Sequence, residues 1–385
     1  MAFLSDELLD RIHSRAPRYD KENAFPAEDY EDLREAGYYA ALVPEEFGGA
    51  GLSLAEVAAE QTRLAKAAPG TALGINMHQI IVALGKFLAR HGNPAGEQIL
   101  RDAAAGELFG FGISEPGNDL VLFGSISEAR PERDGAYSFY GTKVFTSLAP
   151  AWTRLLTFGA DTVSEDAPKS VFAILHRGDG GFEIKDDWDA VGMRATQSNT
   201  TVLDGATAPA DRILARVNPG PNVDPTVIGI FTGFEVLLAA TYAGIGERAI
   251  EVAAEHVKKR RSVLNSDVYA NDPAIRWRLA DAAIAMNAVG PQIRELAALV
   301  ESDEEPSLSW LPRYSAVKNA AAEASRHAVD QAIRASGGSS YYEKNELSRL
   351  YRDVLAGLFQ PSDQESLHSA WANAVLGPVT PPRGA

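Results

Sequence analysis

Apolar positions recur at helical spacing through the first hundred residues. Leu4, Leu8, Leu9 and Ile12 fall on one helical face behind Ser5, a residue suited to cap a helix. Residues 27–36 repeat the pattern, Phe47-Gly48-Gly49-Ala50-Gly51 marks a turn, and Ser53 opens a further helix over 54–67. A longer apolar helix is predicted over about 71–90, ended by His91-Gly92-Asn93-Pro94.

After Phe109 the period changes. Residues 124–129 and 136–140 alternate on either side of Asp134-Gly135, a hairpin signal. Short β-rich runs at 143–147, 154–158, 170–175 and 200–203 follow, punctuated by Gly, Pro and Asp, and predict a small barrel or sandwich. No helices alternate with these strands, which argues against a doubly wound parallel sheet. From about Val223 the chain is again helical, with breaks near 264–272, 302–306 and Gly337-Gly338. Four helices in an up-and-down bundle are expected. The predicted class is α+β: a helical domain over 1–108, a β-domain over 109–218 and a four-helix bundle over 219–385.

Composition narrows the chemistry. The 385 residues carry 36 Lys and Arg against 52 Asp and Glu, a formal charge of −16. That field repels phosphate backbones and disfavours nucleic acid. The absence of cysteine excludes disulfides, thiol catalysis and cysteine-held metals. The histidines form no HxxxH pair, and no carboxylate cluster has ligand spacing, so no metal site is expected. The N-terminus has neither a basic nor an apolar leader segment, which points to a cytoplasmic protein. The most apolar stretch, 229–246, contains Glu235 and has amphipathic flanks, so it reads as a core helix and not a membrane span. Within it Gly244-Ile245-Gly246-Glu247-Arg248-Ala249 fits the dinucleotide fingerprint. The motif needs a preceding strand, and helical sequence here favours close packing instead.

Ser114-Glu115-Pro116-Gly117-Asn118-Asp119 stands at the helix-to-strand transition. It suits an exposed turn, whether a plain domain joint or an anion-binding nest. Further on come Gly141-Thr142-Lys143-Val144-Phe145-Thr146-Ser147, Leu203-Asp204-Gly205-Ala206-Thr207-Ala208-Pro209, Lys259-Arg260-Arg261-Ser262, Leu279-Ala280-Asp281, Gly337-Gly338 and Arg352-Asp353. In this order and spacing the motifs resemble those of the acyl-CoA dehydrogenase superfamily of flavoproteins, across residues 114–364.

The resemblance implies a bound FAD and assigns residues to it. Ile113 and Ser114 would lie over the flavin ring. Phe145 stands where the family has a Trp against that ring, and Ser147 where it has a Thr near N5. Arg260 matches an arginine that reaches the FAD pyrophosphate across a subunit interface, although four consecutive cations at 258–261 also suit a helix C-terminus. Gly337 and Gly338 match a turn at the adenosine end, and a helix C-cap would explain Gly337 equally well. A homo-oligomer, dimer or tetramer, is implied.

The family's Tyr-Glu-Gly-Thr-x-Gln reads here as Phe359-Gln360-Pro361-Ser362-Asp363-Gln364. Ser362 and Gln364 keep cofactor-side polar groups, but Gln360 replaces the catalytic carboxylate, and an amide is no base near neutrality. Some relatives carry the base on the first bundle helix. That position is Phe234, with Glu235 next to it and turned by ~100°. Glu235 is either a relocated base or a paired helix carboxylate.

Two activities stay open. The first is α,β-oxidation of an acyl thioester, with hydride passing to flavin and then to an electron-transfer partner. The second is a monooxygenase that borrows reduced flavin from a partner reductase and needs no α-proton base. His78 is then a candidate acid or base, or simply a hydrogen-bonded helix residue, and His368 is a weaker candidate. A catalytically altered homologue is the third reading. The dehydrogenase-like enzyme is the leading expectation, because most matched positions concern its cofactor.

Overall fold

The computed structural model describes residues 2–377 and 379. Five helices come first: α1 (Asp6–Glu22), α2 (Ala27–Glu35), α3 (Leu54–Ala67), α4 (Pro69–Arg90) and α5 (Pro94–Ala104). Ser5 caps α1 by accepting from Leu8 N at 3.2 Å. Ser53 and Glu56 close a reciprocal capping box on α3, satisfying two orphan backbone donors.

The chain then enters β1 (Phe109–Gly112), β2 (Glu128–Pro131), β3 (Tyr137–Lys143), β4 (Arg154–Asp161), β5 (Lys169–His176), β6 (Phe182–Ile184), β7 (Thr201–Ala208) and β8 (Ile213–Val217). They form one sheet ordered β6-β7-β3-β2-β4-β5-β8, with β1 added parallel to β4. The β2–β3 hairpin turns at Asp134 and Gly135, both at positive φ, as a primed turn requires. Residues 144–147, expected as strand, instead leave β3 as a loop.

The second helical region contains α6 (Pro225–Lys259), then β9 (Arg261–Ser262) and β10 (Asp267–Val268), which form a separate two-stranded ribbon. Next come α7 (Pro273–Asn287), α8 (Val289–Val300), α9 (Trp310–Ser336), α10 (Glu346–Val354) and α11 (Gln364–Leu376). The expected fourth bundle helix is thus split: α10 is buried on one face, and α11 has no fully buried side chain.

Helix α6 is the axis of the molecule, packed by α3, α4 and α9. Both α4 and α6 are long and apolar enough to cross a bilayer, and both are enclosed in the core. Gly244 and Gly246 act by size: an added Cβ at Gly244 would stand 2.4 Å from the Thr62 carbonyl oxygen. At Gly246 it would stand 2.7 Å from the Met286 sulfur. The fingerprint-like run is therefore a helix-packing seam.

Candidate active site

A cavity of about 420 Å³ lies where α4, the β-domain and the segment after α10 meet. One wall is backbone held under strain. Phe145, Leu148, Met193 and Gln197 all have positive φ, between 43° and 65°. For residues with a Cβ such conformations cost about 1–3 kcal/mol each and persist only where surroundings fix them. Here Leu148 N donates to Thr196 O and Ala149 N to Gln197 O, lacing the two loops together. The outcome is that Phe145 faces the cavity 64% exposed, its ring edge-on to Trp188.

Behind it runs a file of hydroxyls. Thr196 Oγ1 donates to Met193 O at 2.8 Å and lies 2.7 Å from Ser198 Oγ, which is 2.8 Å from Ser147 Oγ. Each hydroxyl has one proton. With Thr196 committed to the carbonyl, Ser198 donates to Thr196 and Ser147 to Ser198. Ser147 thus presents lone pairs to the cavity.

The Ser114–Asp119 turn is braced from inside by Glu115. Glu115 is fully buried and accepts from Lys143 Nζ, Ser125 Oγ, Asn118 Nδ2 and the N–H groups of Ile126 and Ser127. Burial alone would raise its pKa, but the Lys143 charge and these donors bring it down to about 2. Burial lowers Lys143 to about 8, with Glu115 opposing, so both stay charged at neutrality. This pair fixes the 115–127 loop against β3. The sequence shows both residues, but nothing local reveals that they meet.

Gln360 lines the opposite wall, and its Oε1 accepts from the buried Tyr242 hydroxyl at 2.5 Å. Its loop is gripped from below by Lys318, whose Nζ donates to the carbonyls of Gly357, Gln360 and Ser362. Tyr242 and Lys318 stand behind the cavity wall, where they hold Gln360 and its loop, and no sequence motif marks them.

Glu235 points into the bundle. Its Oε1 accepts from Ser362 N at 3.1 Å and Ser362 Oγ at 2.7 Å. Ser362 therefore braces the loop from inside and does not line the large cavity. Burial raises the Glu235 pKa, against Lys318 and Ser362. Ile113 and Glu235 line a second, smaller chamber, which shares Phe111, Ser114, Val121, Phe234 and Pro361 with the first. Gln364 is exposed at the start of α11 and lines neither cavity.

His78 is corrected from candidate acid–base to structural residue. It is fully buried; Phe109 N donates to its Nδ1 and its Nε2 donates to Tyr39 O. Burial drops its pKa to about 4, so it stays neutral, with both ring nitrogens engaged. His368 is exposed on α11, its Nδ1 bonded to Gln364 O.

Arg260, Gly337 and Gly338 form a remote group. Arg260 donates to Ser336 O at 2.8 Å and stacks over Tyr269. Gly337, at φ 74°, leaves the space this guanidinium fills: a Cβ there would lie 2.8 Å from Nη1. Phe234 and Arg260 are 26 residues apart on one helix line, about 39 Å at 1.5 Å per residue. This cluster cannot touch a small molecule in its own chain's cavity.

Two family descriptions match the sequence: acyl-CoA dehydrogenase, N-terminal domain, over residues 3–107, and acyl-CoA dehydrogenase, C-terminal domain, over 236–359. The chain belongs to the acyl-CoA dehydrogenase superfamily. An L-evernosamine nitrososynthase of a Micromonospora species is 28% identical over 361 residues, 91% of this chain and 84% of that protein. Two solved structures share the fold. FMN-bound TdsC of Paenibacillus sp. A11-2, a dibenzothiophene monooxygenase, has TM-score 0.85 at 19% identity, covering 98% of this chain and 97% of its own. Butyryl-CoA dehydrogenase of Megasphaera elsdenii has TM-score 0.84 at 21% identity, covering 97% and 99%.

Members of this superfamily are flavin-dependent oxidoreductases or oxygenases. The large cavity fits a flavin ring: Phe145 and Phe359 leave most of their surface exposed at its wall, and Ser147 offers a polar contact at its edge.

Proposed function

We propose that this superfamily member is a flavin-dependent monooxygenase of a small molecule, using FAD reduced by a partner reductase. The observation that carries the reading is the locked Gln360: an amide stands at the position of the dehydrogenase base, held by Tyr242. The ionisable side chains lining the large cavity, among the described residues, are Glu115 and Arg352. Glu115 is bound to Lys143 and Arg352 to Asp20. Neither is free to remove an α-proton or to receive the phosphates of a coenzyme A thioester.

When bound, reduced flavin supplies the electrons that activate dioxygen. Phe145, Trp188 and Phe359 would flank its ring and exclude water. Ser147 offers lone pairs, which match the N–H at the edge of a reduced ring. Arg260 and Gly337 suit the pyrophosphate of an FAD in a second copy of the chain, which makes a homo-oligomer part of the proposal. The nitrososynthase, a relative whose name does not denote thioester oxidation, supports the same reading.

The test pairs two assays on the FAD-loaded protein. Anaerobic mixing with acyl-CoA thioesters is expected to leave the flavin band intact. Mixing with a flavin reductase, NADH, labelled dioxygen and small-molecule candidates is expected to place label in product. Bleaching by a thioester would restore the dehydrogenase reading, and failure of both assays across a broad panel would leave the inactive homologue.

A further inference from the structure

The smaller chamber holds about 160 Å³. An engineered cavity of about 150 Å³ accepts benzene, so this one has room for about one six-membered ring. Two phenylalanine pairs wall it. Phe111 and Phe234 stack with centroids 5.6 Å apart and planes at 23°, and Phe123 and Phe231 stand 6.3 Å apart at 31°. Such faces and edges suit contact with a further ring. Of the two acids on its lining, Asp119 is exposed, and Glu235 turns its carboxylate to Ser362 beside the Lys318 charge. Among the described residues no cationic side chain lines the chamber.

A turn closes the chamber. Residues 120–123 are Leu-Val-Leu-Phe, and all four line it. Leu120 is 57% exposed, so the core does not claim it. Val121 lines both cavities at φ 49°, a backbone that a β-branched residue adopts only where its surroundings impose it. The turn is tied on both sides. Asn118 Oδ1 accepts from Leu120 N at 3.0 Å, Asn118 Nδ2 donates to Gly124 O at 2.7 Å, and Gly220 N donates to Phe123 O at 2.7 Å. Strain and an exposed leucine both cost stability, and what these residues share is the chamber wall.

We propose that residues 120–123 are a recognition turn and that the chamber seats an uncharged ring of the substrate, with the reacting end in the large cavity. Phe111, Val121 and Phe234 border both spaces, so one molecule of two parts can occupy them together. An anionic group is disfavoured, because it would meet Asp119 and no cation. Ring binding stands on the chamber alone; calling the ring part of a substrate rests on the monooxygenase reading.

The test is calorimetric titration of the FAD-loaded protein with benzyl alcohol and with benzoate, matched in shape. The alcohol is expected to bind about tenfold tighter or better, as a buried charge without a partner is costly. Phe231→Ala removes one wall of the chamber and none of the large cavity. It should weaken the alcohol about fivefold, the worth of an aromatic contact, and leave the flavin band intact. Leu120→Lys, at an exposed position, sets a cation on the lining and should strengthen benzoate about threefold or more. Equal binding of the probes, binding of neither, or variants that leave both affinities unchanged overturn the proposal. Ring binding by a protein that oxygenates nothing in the reductase assay would sink the monooxygenase reading and leave this one standing.

Discussion

The Tyr242 hydroxyl, on the long axial helix, donates to Gln360 across 118 residues of sequence. One lone pair of the amide carbonyl is thereby occupied, and the side chain offers N–H donors but no base. A base position has become a donor position. Gln360→Glu would place a carboxylate under the same phenol and next to a loop that Lys318 grips. We expect this variant to show no flavin bleaching with acyl-CoA in anaerobic stopped-flow. Bleaching would mean that position 360 alone withholds dehydrogenase chemistry. Tyr242→Phe should cost about 0.5–1.5 kcal/mol by urea unfolding, the worth of one hydrogen bond.

The Glu115–Lys143 pair supports the wall that carries Ser114 and Asn118. Lys143→Met leaves Glu115 buried without its counter-charge, and breaking such a pair costs about 3–5 kcal/mol. Adding Glu115→Gln should recover part of that loss, because no charge then stays buried. Denaturant midpoints of the two variants check this. A single variant within about 0.5 kcal/mol of the parent would show that water replaces the ammonium.

What the sequence discloses follows from how local each interaction is. Ser5, Ser53 and the Asp134-Gly135 turn act within four residues, and each is legible as a cap or turn. Strands β1, β6 and β8 are three to five residues long and owe their form to distant partners, so no periodicity marks them. The site divides in the same way. Phe145, Ser147 and Gln360 were placed by resemblance and do line the large cavity. Glu235 was found but not its orientation, because one helical residue is ~100° and only Ser362, 127 residues on, fixes where it points. His78 misled because a histidine between Met77 and Gln79 looks the same in sequence whether it faces a cavity or two backbone groups.

Arg260 separates the two flavins. It lies about 39 Å along the helix line from Phe234, and in the proposed homo-oligomer it would serve a flavin held by a second copy. Arg260→Ala should weaken FAD by about tenfold or more, by loss of a charge-assisted contact, and leave FMN unchanged. Fluorescence titration with each flavin measures this. Equal losses for FAD and FMN would indicate a packing role, through Ser336 O and Tyr269.

Stability should pass through a maximum in mild acid, because two kinds of buried carboxyl act with opposite sign. Asp353 accepts from Met193 N, and burial raises its pKa from 3.8 to about 6, against Arg349; burial likewise raises Asp29 to about 6. A carboxyl raised in the folded state binds its proton before the unfolded chain does. Stability therefore climbs as pH falls from above 6 toward 4. Glu115 is opposite: with its folded value near 2 against an unfolded value of 4.5, its contribution is present above 4.5 and is lost as pH falls toward 2. Urea unfolding from pH 3 to pH 8 should show a rise and then a fall. Asp353→Asn keeps an acceptor for Met193 but cannot titrate. It should flatten the slope between pH 5 and pH 6 by up to about 1.4 kcal/mol per pH unit, the value for one proton. An unchanged slope would show that Asp353 stays ionised through this range, with Arg349 outweighing its burial.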